Sequence, residues 1–185
     1  SSVNSVIINV KGAISALLEP NCTLEHEHSK VTELDFRFLR LLGDTWSDFL
    51  NFFKQGRAHN LEKLILISCF LMSQQPPKSL FDILTNECCP KLKYLDLSGN
   101  LFSYEDLEAL CGQRLFNLEE LYLDCILPYD CTLLISELLT DERCNLNVLS
   151  MKGQSRTEEK LDAQKLCEAL QNEHCKLRKL NLACN

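Results

Sequence analysis

Apolar residues along the chain fall into a short alternating motif that returns at nearly constant intervals. Leu61-Leu64-Leu66-Cys69, Leu92-Leu95-Leu97-Asn100 and Leu177-Leu180-Leu182-Asn185 share the pattern L-x-x-L-x-L-x-x-(N/C). Looser copies are Val3-Val6-Ile8, Val31-Leu34-Phe36-Leu39, Leu118-Leu121-Leu123-Ile126 and Leu146-Leu149-Met151-Gln154. First positions fall at 3, 31, 61, 92, 118, 146 and 177, so successive spacings are 28, 30, 31, 26, 28 and 31. The central L-x-L alternates with a period of two, which predicts a strand with one buried face in each copy. Stretches with helical spacing lie between. Ser103 with Asp106 predicts a capped helix start before Leu107 and Leu110, and Thr45 with Asp48 predicts another before Phe49, Leu50 and Phe53. Pro77 suits the first turn of a helix carrying Leu80, Phe81 and Leu84. Leu133, Leu134, Leu138 and Leu139 form a further stripe, and helices over Gly12–Glu19 and Glu158–Glu173 bracket the array.

Strand–helix units of this length cannot bury their apolar faces alone, so they stack. The expected fold is an α/β solenoid in one domain, residues 1–185, of about seven units. Parallel strands line its concave face and helices its convex face. The ninth position of each motif turns inward, where Asn100 and Asn185 can pair loop backbone groups that otherwise cost roughly 1–3 kcal/mol each. Cys69 is a smaller and weaker partner there, and Lys11, Leu39, Ile126 and Gln154 fill the slot less conventionally.

Composition sharpens this picture. Thirty-seven of the 185 residues are leucine, one in five, far more than a compact core draws on. The net charge of −7 and pI of about 5.1 argue against nucleic-acid or anionic-membrane partners, which need Lys and Arg to neutralise phosphate. No apolar run is long enough to span a bilayer. Eleven cysteines, an odd number spread from Cys22 to Cys184, point to free thiols in a reducing compartment, most of them buried as small hydrophobes. The opening residues lack the charge pattern of a signal peptide. A strand almost at Ser1, and a motif closing at Asn185 with no helix after it, lead to the expectation of a piece of a longer chain.

These residues resemble the ribonuclease-inhibitor type of leucine-rich repeat. The stretch LCEALQNEHCKLRKLNLACN, Leu166 to Asn185, is similar to repeats of the NOD-like innate immune receptors, especially their pyrin-containing subgroup. Shared cues are a cysteine just before the strand (Cys89, Cys144, Cys175) and a leucine–cysteine pair in the helix (Leu110-Cys111, Leu166-Cys167). The resemblance implies a non-catalytic, cytoplasmic recognition module, the sensing or autoinhibitory end of an immune receptor whose other domains lie in the same full-length chain. The same repeat type also serves bacterial effectors, GTPase activators and inhibitors that cap a basic enzyme.

Candidate chemistry is sparse. His26-Glu27-His28 near Cys22 lacks the paired spacing of a metal site and reads as a polar loop. Adjacent Cys88-Cys89 cannot form C-x-x-C geometry, and the family pattern puts Cys175 of His174-Cys175 in the core. No phosphate-binding or hydrolase motif occurs, so neither cofactor, metal nor catalysis is expected. Function falls instead to the residues between the leucines, which alternation turns outward. From the second copy onward the middle outward column reads Asp35, Ile65, Asp96, Tyr122, Ser150 and Asn181. Its neighbours read Glu33, Lys63, Tyr94, Glu120, Val148, Lys179 and Arg37, Ile67, Ser98, Asp124, Lys152, Ala183. Ile65, Ile67, Tyr94 and Tyr122 then form an exposed apolar and aromatic patch, with Asp96, Glu120 and Asp124 beside it and Glu33 and Asp35 further along. Such a face suits another protein with a basic surface.

Overall fold

The computed structural model describes residues 31–70, 79–112, 117–124, 131–153 and 162–185. The motif copy at Val3, the helix over Gly12–Glu19, the His26–His28 segment and Pro77 lie outside them, as do Lys11, Ile126 and Gln154.

Six three-residue strands alternate with helices: β1 (Glu33–Asp35), α1 (Asp44–Lys54), β2 (Lys63–Ile65), α2 (Ser79–Ile83), β3 (Tyr94–Asp96), α3 (Tyr104–Gly112), β4 (Glu120–Tyr122), α4 (Cys131–Thr140), β5 (Val148–Ser150), α5 (Ala163–Leu170) and β6 (Lys179–Asn181). Every strand starts two residues after the first apolar position of its motif. The strands form one parallel sheet in chain order. Its register sets like positions side by side: Leu34, Leu64, Leu95, Leu121, Leu149 and Leu180 make one row. The first five of these are 0–2% exposed and belong to a single apolar core with the inner faces of the helices. The opposite face of the sheet carries the residues between the leucines.

The turn after each strand is also repeated. Phe38, Ser68, Gly99, Gly153 and Cys184 each stand five residues after the first residue of a strand, and each has φ between 52° and 73°. This left-handed backbone aims the amide across the sheet. Phe38 N donates to Ile67 O at 2.7 Å, Ser68 N to Ser98 O at 2.9 Å, Gly99 N to Asp124 O at 2.8 Å and Gly153 N to Ala183 O at 2.9 Å. At Gly99 a Cβ would stand 2.4 Å from Ser68 Oγ, so a side chain there would oblige that hydroxyl to turn aside.

The ninth motif position closes the turn. Asn100, 1% exposed, donates through Nδ2 to Leu66 O of the preceding unit (2.8 Å) and to Leu97 O of its own (2.7 Å), while its Oδ1 accepts from Phe70 N at 3.0 Å. Asn185 donates in the same way to Met151 O and Leu182 O, both at 2.8 Å. Cys69 reaches Phe36 O at 2.9 Å with its one hydrogen. Buried loop carbonyls are thereby paired rather than orphaned.

The helices follow most of the expected stripes but not all the expected residues or ends: in α4 Leu133 is exposed, and Ile135 is buried with Leu134 and Leu139. The start of α3 carries a reciprocal box: Asp106 N donates to Ser103 Oγ at 3.2 Å and Ser103 N to Asp106 Oδ2 at 2.9 Å. In contrast, Thr45 does not cap α1, which starts a residue earlier, at Asp44 after Gly43, with no side-chain cap. Burial anchors α1 instead. Phe49, Phe52 and Phe53, at i, i+3 and i+4, are 0–2% exposed, and Phe49 meets Phe36 at 5.4 Å, Trp46 at 5.3 Å and Phe53 at 4.9 Å between ring centroids. The last helix is shorter than Glu158–Glu173. Asp162 caps α5 by accepting from Lys165 N at 3.1 Å, and Gln171 ends it; residues 154–161 lie outside the described ones.

Nine described cysteines are free thiols: four buried (Cys69, Cys89, Cys131, Cys144), three half-buried (Cys88, Cys111, Cys175) and two exposed (Cys167, Cys184). Burial is therefore less general than composition suggested. The buried ones stand just before a strand (Cys89, Cys144), at the closing motif position (Cys69) or at the start of α4 (Cys131), whereas exposed Cys167 sits on the outer side of α5. Among the described residues no helix is long and apolar enough to cross a membrane.

Candidate functional site

The sheet face opposite the helices gathers the expected residues, with one plain correction. Ile65 was expected to lie exposed beside the tyrosines, but it is 2% exposed. It stands in register between Asp35 and Asp96, each 7% exposed, so this whole middle column is largely walled off up to Asp96. The reason is spacing: parallel strands about 4.8 Å apart bring registered side chains into mutual contact, and alternation alone does not register that. Glu33, Ile67, Tyr94, Glu120, Tyr122 and Asp124 remain half-buried.

The two middle-column aspartates also have a structural task. Asp35 Oδ1 accepts from Arg37 N at 3.1 Å, and Asp96 Oδ1 accepts from Ser98 N at 3.0 Å. Asn181 does the same for Ala183 N at 3.0 Å. Each side chain thus ties the backbone as it leaves the strand. Around Asp35 the Arg37 guanidinium closes further, with Nε 2.9 and 2.8 Å from the two carboxylate oxygens. Burial alone would raise the Asp35 pKa, but these bonds and the Arg37 charge hold it below its ordinary 3.8. Asp96 shifts the other way. Burial raises it, Ser98 bonds oppose the rise, and the Asp124 charge adds to it.

The aromatic centre is continuous. Tyr94 and Tyr122 lie 5.0 Å apart between centroids with planes inclined at 32°. Lys63 Nζ sits 4.9 Å from the Tyr94 ring centre and 3.0 Å from Glu33 Oε1. The Tyr122 hydroxyl donates to Glu120 Oε2 at 2.8 Å. Asp124 Oδ1 accepts from Ser150 Oγ at 2.6 Å and from Lys152 N at 2.8 Å. Burial pushes the Tyr94 hydroxyl up to about 12, and burial with the Glu120 bond pushes Tyr122 up as well, so both phenols stay neutral donors across the working range.

Lys63 and Arg37 belong to this site although sequence reading did not select them. Their signal was present in the column order. Lys63 is the registered neighbour of both Glu33 and Tyr94, and Arg37 stands two residues beyond Asp35, on the same side of the strand.

The face offers area, ring surfaces and fixed carboxylates. Burial raises the thiols of Cys69, Cys89 and Cys111 to about 12, well away from the thiolate that a nucleophile needs. Among the described residues no group of three or more His, Cys, Asp or Glu is placed to hold a metal ion. Compared with known proteins, the chain matches no family model and no curated relative.

Proposed function

We propose that the chain is a leucine-rich-repeat solenoid of the ribonuclease-inhibitor type, acting without catalysis as a protein-recognition module. In this reading the sheet is the concave face, the helices are the convex face, and Tyr94 and Tyr122 form the centre of the binding surface. The carrying observation is the tilted tyrosine pair, half-buried, held on a rigid registered sheet and rimmed by carboxylates. Tyrosine so placed gives contact area at small entropic cost, as interface centres do. Asn100 and Asn185 in equivalent bridging roles support the repeat assignment. The nine described free thiols support a reducing, cytoplasmic setting. The resemblance of Leu166 to Asn185 supports placement in a NOD-like immune receptor, as its sensing or autoinhibitory repeat domain.

The test is a photo-crosslinking residue placed at Ile67 or Ser98 on the sheet face, or at Glu108 on α3, in the full-length protein inside cells. Sheet-face positions are expected to trap a partner protein or another domain of the same chain, and Tyr94→Ala/Tyr122→Ala to lower that partner's affinity at least about tenfold. Crosslinks arising only from Glu108, or an unchanged affinity, would overturn the reading.

A further inference from the structure

Tyr94 and Tyr122 stand side by side on the sheet face, yet their hydroxyls differ. The Tyr122 hydroxyl donates to Glu120 Oε2 at 2.8 Å, so its one hydrogen is committed inside the chain. The Tyr94 hydroxyl has no hydrogen-bond partner among the described residues. It is not sealed away either. Ser136 Oγ is the one side-chain oxygen or nitrogen among the described residues that is both buried and unpartnered, so the Tyr94 oxygen reaches solvent. Its surroundings make this unusual, because Glu33, Lys63, Asp96, Ser98, Glu120 and Asp124 each bond within the chain.

The Tyr94 ring, by contrast, is held from both flanks. Lys63 Nζ stands 4.9 Å from its centre, and the Tyr122 ring lies 5.0 Å away between centroids. Lys63 on β2 and Glu120 on β4 are its registered neighbours. The hydroxyl is therefore a fixed polar point on an otherwise internally bonded face. A phenol oxygen shares a lone pair with its ring, which makes the group a better donor than acceptor. Burial and the charges of Asp96, Glu120 and Glu33 keep it protonated, with Arg37 opposing them. The same three carboxylates repel an incoming anion, so the acceptor that suits this donor is neutral. On a protein surface the commonest neutral acceptor is an amide carbonyl.

Resting on the recognition reading of this face, we propose that Tyr94 determines which partner is accepted: its hydroxyl donates to a neutral amide carbonyl of the partner protein, while Tyr122 contributes ring surface alone. The two tyrosines thus divide the work of one contact. Tyr122 gives area without regard to the partner's polar pattern, and Tyr94 demands an acceptor at one place.

The test compares Tyr94→Phe with Tyr122→Phe in the full-length protein, read on whatever the crosslinker at Ile67 traps. The readout is affinity for a separate protein, or crosslink yield for another domain of the chain. Tyr94→Phe is expected to weaken the contact roughly three- to tenfold, and Tyr122→Phe to stay within about twofold. The urea midpoint of Tyr94→Phe is expected to match that of the native chain, since its hydroxyl makes no internal bond. The ratio between native and Tyr94→Phe is expected to be the same at low and high salt. No loss at Tyr94→Phe, or an equal loss at Tyr122→Phe, overturns the proposal. A ratio that collapses in high salt means a charged acceptor and overturns it too. Should Tyr94→Phe bind normally while Tyr94→Ala/Tyr122→Ala still releases the trapped partner, the hydroxyl assignment alone falls. Should Ile67 trap nothing, or the double variant bind as the native chain does, recognition by this face falls with it.

Discussion

Asp35 and Asp96 occupy one repeat position, tie the same turn amide and are equally buried, yet their acidities move in opposite directions. Their neighbours differ. Asp35 has Arg37 bonded to it and the Lys63 charge nearby, whereas Asp96 has Ser98 in the equivalent place and the Asp124 charge beside it. For Asp35, whose folded pKa is depressed, the ionised form stabilises the fold above the unfolded value, and that stability is lost as pH falls below 3.8. For Asp96, whose folded pKa is raised, the folded state binds the proton more tightly, so stability declines as pH rises through the range above 3.8. Asp96→Asn is therefore expected to raise the urea midpoint at neutral pH, with the gain fading in acid. An asparagine already performs the same turn bond at Asn181. Asp35→Asn is expected to lower the midpoint at neutral pH; identical behaviour of the two variants would contradict the assignment. The exchange of Arg37 for Ser98 stood in the column order of the sequence, but the burial did not. Alternation marked both aspartates as presented, and the burial that separates them from solvent comes from residues about thirty positions away, one strand over.

Among the elements, the strands were the most legible, because three apolar positions in a fixed spacing leave little freedom, and all six described strands start two residues into their motifs. Helix ends were less so. Ser103 and Asp106 form a local pair that sequence can display, but the start of α1 depends on Gly43 and on the aromatic cluster around Phe49, which sequence spacing does not reveal. Two matched substitutions separate these cases. Ser103→Ala is expected to cost about 1 kcal/mol in equilibrium unfolding, since the Asp106 amide loses its partner. Thr45→Ala, at a position that sequence alone marks as a cap, is expected to stay within roughly 0.5 kcal/mol. A larger cost at Thr45 than at Ser103 would reverse the assignment.

At the scale of the whole molecule, registered neighbours carry the stability from strand to strand. Leu121, 1% exposed in β4, is enclosed by its registered neighbours Leu95 and Leu149. Leu121→Ala is expected to cost about 2–5 kcal/mol in equilibrium unfolding. A cost no larger than that of an exposed substitution would contradict its place in the shared core. Register also reaches into the turns. A side chain on Gly99 would meet Ser68 Oγ at 2.4 Å, although both hold the same position in successive units. The two units are therefore fitted to each other, in the way of a key and its ward: a larger residue at position 99 is admitted only where the serine of the unit before it turns aside or is exchanged for a smaller residue.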